Sequence, residues 1–338
     1  MSIKYNGGYI PASLATGTVT TTSDATFNGV RVGQGNLTAN NNTALGNNTL
    51  GNLITTGGQN TAVGQSAAQS LTSGAYNTAM GFAALQAGTT VFGATALGVY
   101  ALQSATSGSS GTAVGLQAGQ NTTTGSVQAF GYLACQNNTS GSANNGFGNQ
   151  ALQSNLVGTN NNAFGSLSLV NNTGTSNSGF GDSAGSTITS GGNNTCLGYN
   201  AQASSATVSN TITLGNSAVT TLRCNTTSIT SLSDQRDKAD IKPLALGLDF
   251  INALKPVTFE WNMRDGGKVG VQDAGFIAQD LVAAEDAVNA HDYLQLTFRD
   301  NPEKLEASQG RLIPVLVKAI QDLSAELASL KEQINANN

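Results

Sequence analysis

The side chains most able to do chemistry crowd into one short run, Ser231-Leu232-Ser233-Asp234-Gln235-Arg236-Asp237-Lys238. A serine hydroxyl is inert at its own pKa and becomes a nucleophile only beside a base. The run offers Ser233 a lysine five residues on, and a Ser-His-Asp arrangement would have to recruit His291, the only histidine of the chain. By spacing alone, Ser233 equally suits a cap on the turn before Asp237, with Lys238 a solvated charge, and both readings stay open here. His291, next to Asp292, reads more simply as a surface or locally hydrogen-bonded imidazole. Cys135, Cys196 and Cys224 have no paired spacing, so they suggest small apolar fillers and neither a disulfide framework nor a zinc site. No metal and no cofactor is expected.

The run sits where two compositions meet. Of the 33 charged residues, five (Lys4, Asp24, Arg31, Asp182 and Arg223) lie in the first 232 positions, which are built from Gly, Asn, Thr, Ser and Ala. The net charge of −5 divides into +1 before the junction and −6 after it, which argues against nucleic acid as a partner. Asp182 is the sole acid between residues 25 and 233, which argues against a shaft that hydrolyses polysaccharide with paired carboxylates. The start, Met1-Ser2-Ile3-Lys4-Tyr5-Asn6, lacks the apolar core of a secretory signal, and no stretch approaches the roughly 18 apolar residues of a membrane helix. Folding in a cytoplasm, without membrane insertion, is the expectation.

Four segments follow. Residues 1–36, with Pro11, a Thr-rich run from Thr16 to Thr22 and apolar Phe27, Val30 and Val32, read as a β-rich attachment segment. Over 37–216 an apolar residue followed by Gly recurs from Leu45-Gly46 and Val63-Gly64 to Leu197-Gly198 and Leu214-Gly215, with glycine steps of 16 to 18 residues. That period is a solenoid signal. Each unit reads Asn-Thr-Ala-apolar-Gly and then a second small or apolar pair such as Ala84-Leu85 or Ala151-Leu152, which predicts two short strands per turn. Stacking would turn Leu45, Val63, Met80, Leu97, Val114 and Phe130 into inner ladders, with Gly and Asn at the corners. Residues 217–232 read as an extended neck. Residues 233–338 change period, with one helical face at Leu244, Leu248, Ile251 and Leu254, a strand at Val257–Trp261, and a closing helix. In that helix Ile313, Leu316, Ile320, Leu323, Leu327, Leu330 and Ile334 step by alternating threes and fours, a coiled-coil seam.

The Asn-Thr-Ala-apolar-Gly units resemble the stacked repeats in the heads of trimeric bacterial adhesins and in phage tail fibres, which implies three parallel chains about one axis. The C-terminal part resembles the intramolecular chaperone of endosialidase-type phage tailspikes, also classed as the self-cleaving peptidase S74 family. The residues carrying that resemblance are Ser233–Lys238, Ile241-Lys242-Pro243, Lys255–Trp261, Gly275–Gln279 and Leu312–Ile320. It implies one cut per chain between Leu232 and Ser233, with Ser233 as nucleophile and Lys238 as its base. A lysine serves only when neutral, so burial or nearby positive charge must lower its pKa, with Arg236 and Lys242 as candidate neighbours. Attack of the Ser233 hydroxyl on the Leu232 carbonyl would give an ester that water hydrolyses.

The fold class expected is therefore mainly β: a trimeric parallel β-roll or solenoid shaft of about 17-residue repeats, then an α+β chaperone domain ending in a trimeric coiled coil. The function expected is a structural, receptor-binding phage tail fibre, assembled in the host cytoplasm and carried on the virion. Its partners would be two copies of itself, a host cell-surface receptor (a glycan or a surface protein) and other tail proteins through its N-terminus. A bacterial cell-surface trimeric adhesin with the same chaperone is the alternative.

Overall fold

The computed structural model describes residues 3–5, 8–10, 24–27, 29–34, 41–52, 58–109, 111–124, 126–225 and 230–337. Pro11 and the whole Thr-rich run of the attachment segment, and Ile229 of the neck, lie outside them. The chain divides into two compact units, Met1–Asn216 and Ser217–Asn338.

The first unit is a parallel β-solenoid. Eleven strands run from Thr43–Leu45 and Thr61–Val63 through Thr95–Leu97 and Asn144–Phe147 to Ile212–Leu214, each pairing in parallel with the next turn's strand. Register keeps the repeat aligned, with Leu45 opposite Val63, Val63 opposite Met80, and Phe147 opposite Phe164. The Phe130, Phe147, Phe164 and Phe180 rings stack at centroid spacings of 4.7, 4.9 and 5.2 Å, the step between neighbouring strands. At the first turn, strands Ala25–Phe27 and Val30–Gly33 form a hairpin whose second strand pairs antiparallel with Thr43–Leu45. The hairpin covers a sheet edge that would otherwise present unpaired backbone groups. An Arg31–Asp24 ion pair of 2.5 Å fastens it.

One expectation fails and a second holds only in part. The apolar residue before each glycine faces outward, and the alanine before it lines the core: Ala44, Ala62, Ala79, Ala96, Ala113, Ala129 and Ala163 are fully buried, whereas Leu45, Met80, Phe164, Phe180 and Leu197 are exposed. A narrow coil has room on its strand side for little more than a methyl group, because the opposite wall sends in Leu50, Leu85, Leu102, Leu152 and Leu169. Where that wall carries Ala68 or Gly185, Leu71 or Ile188 three residues on fills the space. The second expectation, two strands per turn, holds for two turns, whose extra strands Thr90–Phe92 and Ser107–Ser109 pair in parallel, and gives way to one strand in the other described turns. The far side alternates left-handed residues, as at Ala83 (φ 54°) and Leu85 (φ 53°), which no strand accommodates. Single inter-turn bonds such as Leu85 N–H to the Ala101 carbonyl, 2.9 Å, satisfy its backbone instead.

Asparagine is also more than a corner residue. Asn42, Asn60 and Asn77, and again Asn144, Asn161, Asn177 and Asn194, are buried where their strands begin, Asn144 as the first strand residue and the others just before it. Each side-chain oxygen accepts the backbone N–H of the corresponding residue one turn on, as from Asn60 (2.8 Å) to Asn42 and from Asn177 (2.9 Å) to Asn161. The amide nitrogens of Asn60, Asn77, Asn161 and Asn177 also donate to a carbonyl of the next turn. Ala94, Gly111 and Val127 hold the equivalent place in the middle turns and interrupt the ladder.

The corner glycines are required by contact as well as conformation. At Gly98 the backbone φ is +137°, and an added methyl would lie 2.3 Å from the Gly115 carbonyl oxygen. Gly98→Ala is therefore expected to destabilise the shaft by about 3 kcal/mol, lowering its melting temperature by roughly 10 °C. An unchanged thermal transition would show that the turns do not approach so closely.

In the second unit, no strand follows Ile212–Leu214 among the described neck residues up to Leu232. Helix α1 (Leu248–Ala253) leads to an antiparallel pair, Pro256–Asn262 with Val269–Phe276. Helices α2 (Ala278–Ala287) and α3 (His291–Leu294) follow, then a two-residue strand pair and the long helix α4 (Ile313–Ala336). Leu246, Phe250, Leu254, Leu281, Leu294, Leu296, Leu312 and Val315 form the core. Helix α4 thus has two apolar faces. Val315 and Ala319 are buried, whereas the seven seam residues from Ile313 to Ile334 are 43% to 67% exposed. No described helix is long and apolar enough to cross a membrane.

Candidate functional site

The junction run folds into a single tight turn whose local cause is Asp234. Its carboxylate accepts the Arg236 N–H at 2.9 Å and so caps a 3-10 turn over Gln235–Asp237. The Arg236 guanidinium folds back on the same carboxylate, 2.6 Å away, and this pairing holds the Asp234 carboxyl below the usual carboxylate range. Lys238 leaves the turn extended, its N–H bonded to the Gln235 carbonyl.

That reversal brings the two predicted catalytic side chains together. Lys238 Nζ lies 2.6 Å from Ser233 Oγ and 3.3 Å from the Ser233 carbonyl oxygen. As an ammonium, Lys238 donates to the hydroxyl; as a neutral amine, it accepts the hydroxyl proton, which is the geometry a general base requires. The turn is exposed throughout, and Leu232 is fully open to water. Of the two candidate cations, Arg236 is matched with Asp234, and Lys242 is exposed.

His291 takes no part in this arrangement. It belongs to a polar cluster that sequence reasoning missed, centred on Glu285, whose side chain is fully buried on α2. The carboxylate accepts the Leu296 N–H and the Thr297 hydroxyl, both at 2.5 Å, and the Arg299 guanidinium at 3.2 Å, with His291 Nδ1 at 3.3 Å. Burial raises the Glu285 pKa, but these hydrogen bonds outweigh it and hold the carboxyl below its ordinary value. The available signal was position: Glu285 stands four residues after Leu281 and shares its buried face. The cluster ties the polar stretch after Asn289 to the core.

Glu285→Ala leaves the Thr297 hydroxyl proton and the Leu296 N–H without their acceptor and takes from Arg299 one of its two carboxylates, Asp286 remaining at 2.9 Å, and is expected to cost about 2–4 kcal/mol. Because the folded pKa is depressed, the carboxylate's contribution is complete above the roughly 4.3 of a free glutamate and is lost as pH falls through the folded value. Thermal melts of the full chain against pH check this. Glu285→Gln should flatten the acid limb of the C-terminal transition, and an unchanged limb would remove Glu285 from the account.

Among the described residues no cluster of His, Cys, Asp or Glu is arranged to hold a metal ion. Cys135 and Cys196 are buried among the solenoid core residues, and burial pushes the Cys135 thiol up to about 12, consistent with an inert filler.

No curated protein and no solved structure matches the chain. A family model does, over residues 233–290, stopping short of the motif at Leu312–Ile320. That model is the one described as the chaperone of endosialidase, of the peptidase S74 family; a domain of this kind behind a parallel β-solenoid fits a tail fibre with a C-terminal chaperone.

Proposed function

We propose that the chain is the subunit of a homotrimeric, receptor-binding phage tail fibre whose residues 233–338 direct trimerisation and then detach by cutting the Leu232–Ser233 bond. The observation that carries this reading is the open apolar seam on α4, a helix whose other face is already buried in its own unit. A seven-residue apolar stripe in heptad register suits copies of itself. The outward column of the solenoid, from Leu45 to Leu214, supports the same conclusion for the shaft, since so long a stripe exceeds what a monomer ordinarily exposes. Assembly in the host cytoplasm, a place on the virion, attachment to other tail proteins through residues 1–36 and binding of a host cell-surface receptor complete the reading.

The chemistry uses the chain's own groups. Ser233 Oγ attacks the Leu232 carbonyl carbon, and Lys238 takes the hydroxyl proton. The carbon–nitrogen bond breaks, the proton passes to the departing Ser233 amine, and an ester joins the two parts. Water then hydrolyses the ester, its hydroxyl ending on the Leu232 carboxyl group and its proton on Ser233 Oγ. In the single chain the dyad is open to water; neighbouring copies would supply the cover that keeps the lysine neutral.

A template is needed because eleven similar turns can pair out of register, and non-local parallel pairing is slow. Once the template is gone, the shaft is held by the height of its unfolding barrier. A gene ending at Leu232 is expected to yield monomers or aggregates, whereas excision after folding leaves trimers intact. Sedimentation of both preparations decides it, and equal trimer yield from the truncated gene would sink the chaperone role.

A further inference from the structure

One departure from the repeat stands out on the shaft surface. The residue after each corner glycine is polar at Asn47, Gln65, Asn149, Ser166, Asp182 and Asn216 and a lone tyrosine at Tyr199, but apolar or aromatic in four consecutive turns, at Phe82, Val99, Leu116 and Tyr132. These four are 39% to 47% exposed. Inter-turn bonds align them one above the other: the Tyr100 N–H meets the Phe82 carbonyl at 3.0 Å, Gln117 meets Val99 at 2.9 Å, and Leu133 meets Leu116 at 3.0 Å. They lie two residues beyond Met80, Leu97, Val114 and Phe130, so over these turns the outward apolar column gains a second column beside it. No charged residue occurs from 32 to 181 to direct a charged ligand there.

We propose that this quartet is a register key, an interface patch that fits the same four turns of a second copy of the chain. The inference rests on the trimeric reading above and adds to it the surface that tells one turn from another. Two adjoining columns over four turns make an apolar patch on the order of several hundred Å², the size that marks an interaction site. The occupant follows from continuity with the column proposed to face a neighbour and from periodicity. Level chains set apolar turns against apolar turns. A slip of one turn sets Phe82 or Tyr132 at the height of Gln65 or Asn149, and each further turn of slip forfeits another pair.

The test moves the key. A full-length chain carrying Gln65→Phe, Phe82→Val, Val99→Leu, Leu116→Tyr and Tyr132→Asn holds the same kinds of side chain one turn earlier. Wild-type and shifted chains with different tags, joined at their C-terminal helices, cannot slide to compensate. When co-expressed, each is expected to form its own trimers, with mixed trimers at least about tenfold below random mixing. Should the shifted chain fold poorly, a second variant with all four positions changed to Asn, which Asn47 and Asn149 show the turn accepts, serves instead. After excision of residues 233–338 its trimers should separate at least about a hundredfold faster than wild type. Random mixing, or unchanged dissociation, overturns the key while leaving the trimer standing. So does oxidative footprinting in which Phe82 and Tyr132 react as fast as the exposed Tyr76 within the trimer, which would leave the patch to an outside ligand such as a neutral glycan. A monomeric wild-type chain overturns both.

Discussion

Freshly made wild-type chain is expected to separate into two fragments, the smaller beginning at Ser233, while Ser233→Ala stays whole and still trimerises. Intact mass reads both outcomes in one measurement. Removing the hydroxyl deletes the nucleophile that lies 2.6 Å from Lys238 Nζ, so the covalent route closes altogether. Lys238→Ala leaves the nucleophile without its base and should slow the cut by about 10²–10⁴-fold. Neither change touches the core around Phe250, Leu281 and Val315 or the open seam of α4, so assembly and cutting are separable. Cutting that persists at the same bond in Ser233→Ala would assign the processing to an outside protease.

The largest effect on assembly is expected from the seam. Leu323 and Leu327 stand four residues apart on the exposed face of α4, each about half exposed in the single chain. Leu323→Asp with Leu327→Asp puts six carboxylates into a three-chain seam and removes six apolar side chains, a loss on the order of 10 kcal/mol per trimer from burial alone. Sedimentation should find no trimer. The variant's C-terminal unit should still fold, because Leu312, Val315 and Ala319 on the opposite face are untouched. Trimers that survive would mean that the seam is covered by something other than copies of itself.

Residue types and spacing made some of this legible and hid the rest. The 17-residue period needed only the glycines, since their close inter-turn approach admits nothing larger. The α4 seam was equally plain, because a heptad pattern over 24 residues states its own geometry. The sidedness of the strands was not. In Thr-Ala-apolar-Gly the threonine and the apolar residue share a face, so burying Leu45 or Met80 would bury a threonine column too; the width of the coil decided for alanine. At the site, the Ser233–Lys238 contact depended on a reversal nucleated by Asp234, a local signal, whereas the Glu285 cluster gathers residues up to 14 positions apart and left only its helical phase as a trace.

The interrupted asparagine ladder divides the rod into regions of unequal persistence. From Asn42 to Asn77 and from Asn144 to Asn194, opening a turn exposes a buried amide and strands its partners above and below, so neighbouring turns open together or not at all. Between them, Ala94, Gly111 and Val127 lack that buried amide link, and the turns are tied instead by backbone bonds, by packing and by a half-buried ladder of Gln86, Gln103, Gln120 and Gln136, whose amides can turn to water when a turn opens. In a structure whose stability is a sum of turns and their nearest-neighbour contacts, transient opening starts where coupling is weakest. Backbone amides in the middle turns should therefore exchange their hydrogens first, with the two flanking tracts following as separate blocks, wherever a neighbouring chain does not hold them shut.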